Sequence, residues 1–132
     1  MNTRMSSSAM GFQYVVLRCV PRVDREEFLN VGVVLYCQDA RFLEAAHDVD
    51  PQRLSAFTST VAVDDVCSSL AAIEAVCRGD DAAGAAGRAP MGVRFGFVKA
   101  PRSTVVQPGP VHGGSTTDPA RELEHLMDVL VR

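Results

Sequence analysis

Residues 14–37 read YVVLRCVPRVDREEFLNVGVVLYC, and this stretch decides the fold. Two runs, YVVLRCV and NVGVVLYC, place Val, Leu, Tyr and Cys at consecutive positions. Residues of that kind on both faces mark strands covered on both sides. The link between them, PRVDREEFL, packs Arg22, Asp24, Arg25, Glu26 and Glu27 into six residues at the mouth of the expected sheet.

Working outward, the first strand is expected over Phe12 to Val20. Tyr14, Val16, Arg18 and Val20 then share one face, with Val15, Leu17 and Cys19 on the other. Pro21 has no N–H to give to a ladder, so pairing should stop near it. The second strand runs from Asn30 to Gln38, and Gly32 within it signals a bulge or a close backbone approach. Gln38 to Ala40 is a short polar turn, and Arg41 to His47 reads as a third strand. The three make an antiparallel meander.

Asp50-Pro51 has a capping carboxylate followed by a Pro suited to the first helical position. A short helix through Phe57 follows, then a longer one from Val61 to Arg78. Its expected buried stripe is Val63, Val66, Cys67, Leu70, Ile73 and Cys77. Gly79 is its natural stop. Asp80 to Pro90, DDAAGAAGRAP, has no periodicity and reads as a mobile internal linker. Val93, Phe95 and Phe97 alternate, so Val93 to Lys99 is expected to be a fourth strand. Thr104 to Gln107 is a fifth, short strand, and PGPVHGGSTT a Pro/Gly loop. Asp118-Pro119 repeats the helix-start signal, and Leu123, Leu126, Met127 and Leu130 form the stripe of the last helix.

This order gives an α+β domain: a mostly antiparallel sheet of four to five strands with helices packed on one face. The other face stays partly open, a place for a partner to dock. Residues 12–132 form the single domain, and residues 1–11 a flexible N-terminal tail.

At 132 residues the chain holds one core. Its net charge of -3 argues against a general nucleic-acid binder. No apolar run is long enough to span a bilayer, and the start has no secretory h-region. Cys19, Cys37, Cys67 and Cys77 are widely and irregularly spaced, so they read as small buried hydrophobes rather than zinc ligands. The expected compartment is a reducing cytoplasm.

Two polar clusters are candidates for a site. The first is Arg22, Arg25, Glu27 and Asn30, with Arg18 and Glu26 beside them. An arginine there would grip a carboxylate or phosphate, with Glu27 orienting it. The plainer reading is a solvated link with weak ion pairs. The second is Arg102, Ser103, Thr104 and His112, an arginine beside two hydroxyls in a turn. Its plainer reading is a turn that satisfies its own backbone. His112, in a surface loop, could titrate near neutrality. His47, His112 and His125 have no metal-binding spacing, so no metal site is expected. No nucleophile elbow, phosphate loop or dinucleotide fingerprint is present, so neither a cofactor nor a catalytic residue is assigned.

Three blocks carry a resemblance: YVVLRCVPRVDREEFLNVGVVLYC, APRSTVVQPGPVH and DPARELEHLMDVLV. In that order they resemble the uncharacterised bacterial domain of unknown function 3037 family, over nearly the whole length from Phe12. The resemblance implies no activity and no catalytic residue. It implies a protein partner, a HipA-type kinase-like protein whose gene often lies beside those of the family. The expected function is therefore a non-catalytic accessory protein. The alternative is a small enzyme or binder for an anionic metabolite or nucleotide. Arg22, Arg25 and Arg102 would clamp the anion, with His112 as acid or base. Single-stranded RNA binding on the sheet is a weaker reading, given the acidic charge. The apolar stripe of the last helix suits either core closure or a homodimer.

Overall fold

The two runs around the charged link become the central pair of a sheet. A computed structural model of the protein describes residues 8–102 and 104–132. Strands β1 (Met10–Cys19) and β2 (Leu29–Cys37) run antiparallel, with Tyr14 opposite Leu35 and Val16 opposite Val33. β1 begins within the stretch expected to be a tail, whose first seven residues lie outside the described residues.

The register slips once. Leu17 faces Gly32 and Arg18 faces Asn30, so Val31 is the extra residue of a bulge. Gly32 also meets the expectation of a close approach: a Cβ there would lie 2.6 Å from the Ala46 carbonyl oxygen. That oxygen belongs to β3 (Phe42–His47), which pairs with β2 as the meander requires.

The far edge of β1 is filled from the other end of the chain. β4 (Val106–Pro108) pairs with Leu17–Cys19, and β5 (His112–Thr116) pairs with Met10–Tyr14. The sheet has five strands, all antiparallel. The expected strand at Thr104 to Gln107 thus sits slightly later, and the expected Pro/Gly loop holds β5. Gly113 and Gly114 hid that strand, because glycine contributes nothing to an alternating pattern. Their lack of a side chain is used: a Cβ on Gly114 would lie 2.8 Å from the Phe12 ring that packs against it.

The helices are α1 (Pro51–Phe57), α2 (Val63–Arg78), α3 (Ala85–Arg88), α4 (Met91–Lys99) and α5 (Pro119–Leu130). Both Asp-Pro signals act as read. The Asp50 carboxylate accepts from the Gln52 N–H at 2.9 Å, and that of Asp118 from the Arg121 N–H at 3.2 Å. Gly79 ends α2 with a left-handed φ of 71°.

Three expectations are corrected here. Val93–Lys99 is helix, not strand. Phe95 and Val98 are buried one turn apart, whereas Val93 and Phe97 are exposed. The apparent alternation was two spacings superposed, and Pro101 ends the helix by forcing Ala100 to an extended backbone. Asp80–Pro90 is not a bare linker. It holds a 3-10 turn, Asp81–Ala83, and then α3 with Gly87 buried. Cys67 is exposed, about a quarter turn round α2 from the stripe of buried Val66, Leu70, Ile73 and Cys77.

The fold is α+β with an antiparallel sheet, as expected, but helices cover both faces. On one face Val15, Leu17, Cys19 and Val34 meet Leu54, Val66, Leu70, Ile73, Phe95 and Val98. On the other, Phe12, Val33, Leu35 and Cys37 meet Leu123, Leu126, Met127 and Val131 around α5. The cause lies in β2, where Val33, Val34 and Leu35 are fully buried in succession and Cys37 is buried after them. A strand apolar on both sides needs two layers. α5 packs over β2 and β3, so the same face of β1 and β5 is left partly uncovered.

Candidate functional site

The charged link forms a 3-10 turn at Val23–Arg25, closed by Glu26 at a left-handed φ of 55°. Its arginines are occupied locally. Arg22 holds Asp24 in a fork, Nε to Oδ1 at 3.1 Å and Nη2 to Oδ2 at 2.5 Å. Arg25 Nε donates to Glu27 Oε1 at 2.6 Å. These bonds hold the Asp24 and Glu27 carboxyls below the usual carboxylate range. All four side chains are exposed. Arg22, Arg25 and Glu27 share a shallow groove of about 290 Å³ with Phe57, Thr58 and Thr60.

Asn30 plays a different part. Its Nδ2 donates to the Leu130 carbonyl at 3.0 Å and pins the last turn of α5 to β2. Its Oδ1 is buried with no partner among the described residues.

The second cluster is a turn that largely satisfies itself. The Arg102 N–H donates to Gln107 Oε1 at 3.0 Å, and Arg102 Nη2 to the Phe97 carbonyl at 3.1 Å. Gln107 Nε2 donates back to the Arg102 and Thr104 carbonyls, and Thr104 Oγ1 to the Val106 carbonyl. Ser103 lies outside the described residues. Arg102 and Thr104 line a second groove, of about 480 Å³, with Ser68, Ser69 and Val76 of α2.

His112 is the first residue of β5, paired with Tyr14, their rings stacked 5.2 Å apart. Six positions separate Tyr14 from Val20, roughly 20 Å along a strand. His112 therefore stands far from the Arg22–Glu27 groove. The turn at Arg102 adjoins the charged link, since the Val20 N–H donates to the Val105 carbonyl at 2.7 Å, whereas His112 stands apart from both.

A cavity of about 660 Å³ lies away from both polar clusters, between the outer edge of β3 and the helices α2 and α4. It is lined by Arg41, Glu44, Glu74, Arg78 and Arg94, among others. Much of this charge serves structure. His47 Nδ1 lies 2.7 Å from Glu74 Oε2. Arg94 donates to the Cys77 carbonyl at 2.5 Å and the Ala89 carbonyl at 3.0 Å, capping the end of α2. Burial pushes the Cys77 thiol up to about 12, so it packs rather than attacks. Among the described residues no three His, Cys, Asp or Glu gather as a metal site, and no helix is long and apolar enough to cross a membrane.

The uncovered strip of the sheet has another character. Tyr14, Val16 and Arg18 follow one another along one face of β1, with His112 stacked on Tyr14 and the Phe28 ring over the Arg18 guanidinium at 4.0 Å. On α5, Arg132 ties Glu124 and Asp128 and reaches toward Asp48 beyond β3. That flank faces the β3 side. The opposite flank borders the strip and carries Val129, 59% exposed. Phe28 and Val111 are exposed as well. The sequence placed Arg18 in the first cluster but could not show that it joins none of the link's ion pairs and lies instead against the Phe28 ring.

The family described as "Protein of unknown function (DUF3037)" matches residues 14–131. The chain belongs to the DUF3037 family. The match takes in β2, β1 from Tyr14 onward, both polar clusters and α5. No curated protein and no solved structure matches the chain.

Proposed function

We propose that this DUF3037 chain is a non-catalytic accessory protein that binds another protein through the strip of sheet left uncovered by α5. The observation that carries the reading is the composition of that strip. Exposed Phe28 lies over the arginine and exposed Val129 on the near flank of α5, with a half-buried Tyr14 on the same face and no acidic cross-strand partner for Arg18 among the described residues. Apolar and aromatic side chains around an arginine are the make-up of an interface centre. The resemblance among relatives names a first candidate, a HipA-type kinase-like protein. In this reading the protein works in the bacterial cytoplasm, where Cys19, Cys37 and Cys77 remain buried thiols.

The alternative, a small enzyme or anion binder with an Arg clamp, has less support. Its arginines are paired with Asp24 and Glu27 or spent on the turn at Arg102.

The test uses the tagged full chain as bait against native lysate and against the purified kinase-like protein. Val129→Asp puts a charge on the strip, and Arg102→Ala changes a residue away from it. A protein held by wild type and by Arg102→Ala but lost by Val129→Asp supports the reading. Equal yields on all three baits, or a homodimer that Val129→Asp dissociates with nothing else bound, overturn it.

A further inference from the structure

Arg18 brings a full charge to the uncovered strip, and no group among the described residues is paired with it. Its cross-strand neighbours are Asn30 on β2 and Gln107 on β4, and neither is acidic. Both amides are engaged elsewhere, Asn30 with Leu130 and Gln107 with the turn at Arg102. Among the described residues no hydrogen bond or ion pair reaches the guanidinium, and Nε is buried without a partner. The Nη atoms are not sealed off in that way.

The group is nonetheless held in place. The Phe28 ring lies over it at 4.0 Å. The backbone at Gly109 approaches so closely that a Cβ there would lie 2.9 Å from Arg18 Cζ. A guanidinium fixed by its face and stem loses little freedom on binding and presents a planar fork of donors. A charge partly withdrawn from water, with no counter-charge, is a cost that a bound anion would relieve.

We propose that Arg18 receives a carboxylate, an Asp or Glu side chain of the protein partner, bound by its two Nη groups. This rests on the interaction reading above. A single negative charge fits because Arg22 and Arg25, the nearest cations in sequence, are already paired. A phosphate dianion would call for a second free cation. The Phe28 ring over the guanidinium supplies an apolar wall beside the pair.

The probe is acetate, titrated into full-length protein carrying ¹⁵N-arginine, with chloride and inorganic phosphate as comparators at matched ionic strength. Arg18→Gln assigns the Arg18 side-chain resonance, and melting shows whether each variant is folded. Where Arg18→Gln fails to fold, Arg18→Lys gives the assignment instead. The expected result is a saturable shift of the Arg18 resonance with acetate and none with chloride. Arg18→Lys, followed through a labelled lysine side chain, keeps the charge but not the fork, and should bind acetate at least about tenfold more weakly.

A response equal to that with chloride, equal acetate binding by Arg18→Lys, or a preference for phosphate would each overturn the carboxylate proposal. These readouts need no partner. If acetate fails while Val129→Asp still loses its protein, the interaction reading stands without this contact. If acetate binds but no protein is lost by Val129→Asp, the partner is overturned as the source of the carboxylate.

Discussion

Cys67 and Cys77 lie on one helix in opposite chemical settings. Cys67 is exposed, and burial pushes the Cys77 thiol up to about 12. An alkylating reagent at mildly alkaline pH should label Cys67 alone in the native chain, with Cys77 labelled only after unfolding. Mass spectrometry of the peptides checks this, and early labelling of Cys77 would mean that the core around it opens. A raised thiol pKa also fixes the sign of a pH effect. The neutral thiol is favoured in the fold, so its contribution is full below the ordinary thiol range and is lost as pH rises toward about 12. Melting temperature should therefore fall on the alkaline side, and Cys77→Ala should flatten that fall. At this scale the sequence was legible only where spacing spoke. Val66, Leu70, Ile73 and Cys77 recur at helical intervals, whereas Cys67 sits one residue, and hence a quarter turn, off the stripe. Whether Arg22 or Arg25 is free depends on which neighbouring carboxylate its side chain turns to, and a chain of alternating charges does not encode that.

Among the elements, α4 gives the sharpest discrimination. As a strand, it would present Val93, Phe95 and Phe97 on one face at similar cost. As a helix, it buries Phe95, 1% exposed, and leaves Val93 and Phe97 out at 51% and 46%. Phe95→Ala should cost about 3–5 kcal/mol and Val93→Ala less than about 1 kcal/mol, measured by urea unfolding. Comparable losses at both would support the strand. The misreading has a physical origin. Gly92 and Gly96 weaken the helical signal, and aromatic residues at alternate positions imitate a strand. The missed β5 is the converse case, since its ladder comes from backbone groups and its glycines leave nothing to alternate. By contrast β1, β2, β3 and the two Asp-Pro caps were legible because their signals are local and redundant.

For the molecule as a whole, two half-cores back to back on one sheet should behave as one unit. Leu70→Ala on the α2 side and Met127→Ala under α5 both remove fully buried side chains, and each should cost about 2–5 kcal/mol. Both variants should still unfold in a single transition by fluorescence and circular dichroism. A separate early transition in Met127→Ala would show that α5 docks as an independent layer. The runs at Tyr14–Val20 and Asn30–Cys37 announced cover on both faces, yet the number and order of helices suggested one layer. What the sequence lacked was the position of α5, which depends on contacts between the two ends of the chain. Those contacts govern the order of assembly. β1 is made first, but its second neighbours, β4 and β5, come from residues 106–108 and 112–116. A nascent chain on the ribosome thus carries β1 with one ladder edge bare until residues 106–116 have emerged. The β1–β2–β3 meander can form early from neighbouring sequence. Closure of the other edge must wait for residues 106–116, so a protease or a holding chaperone would meet a half-built sheet.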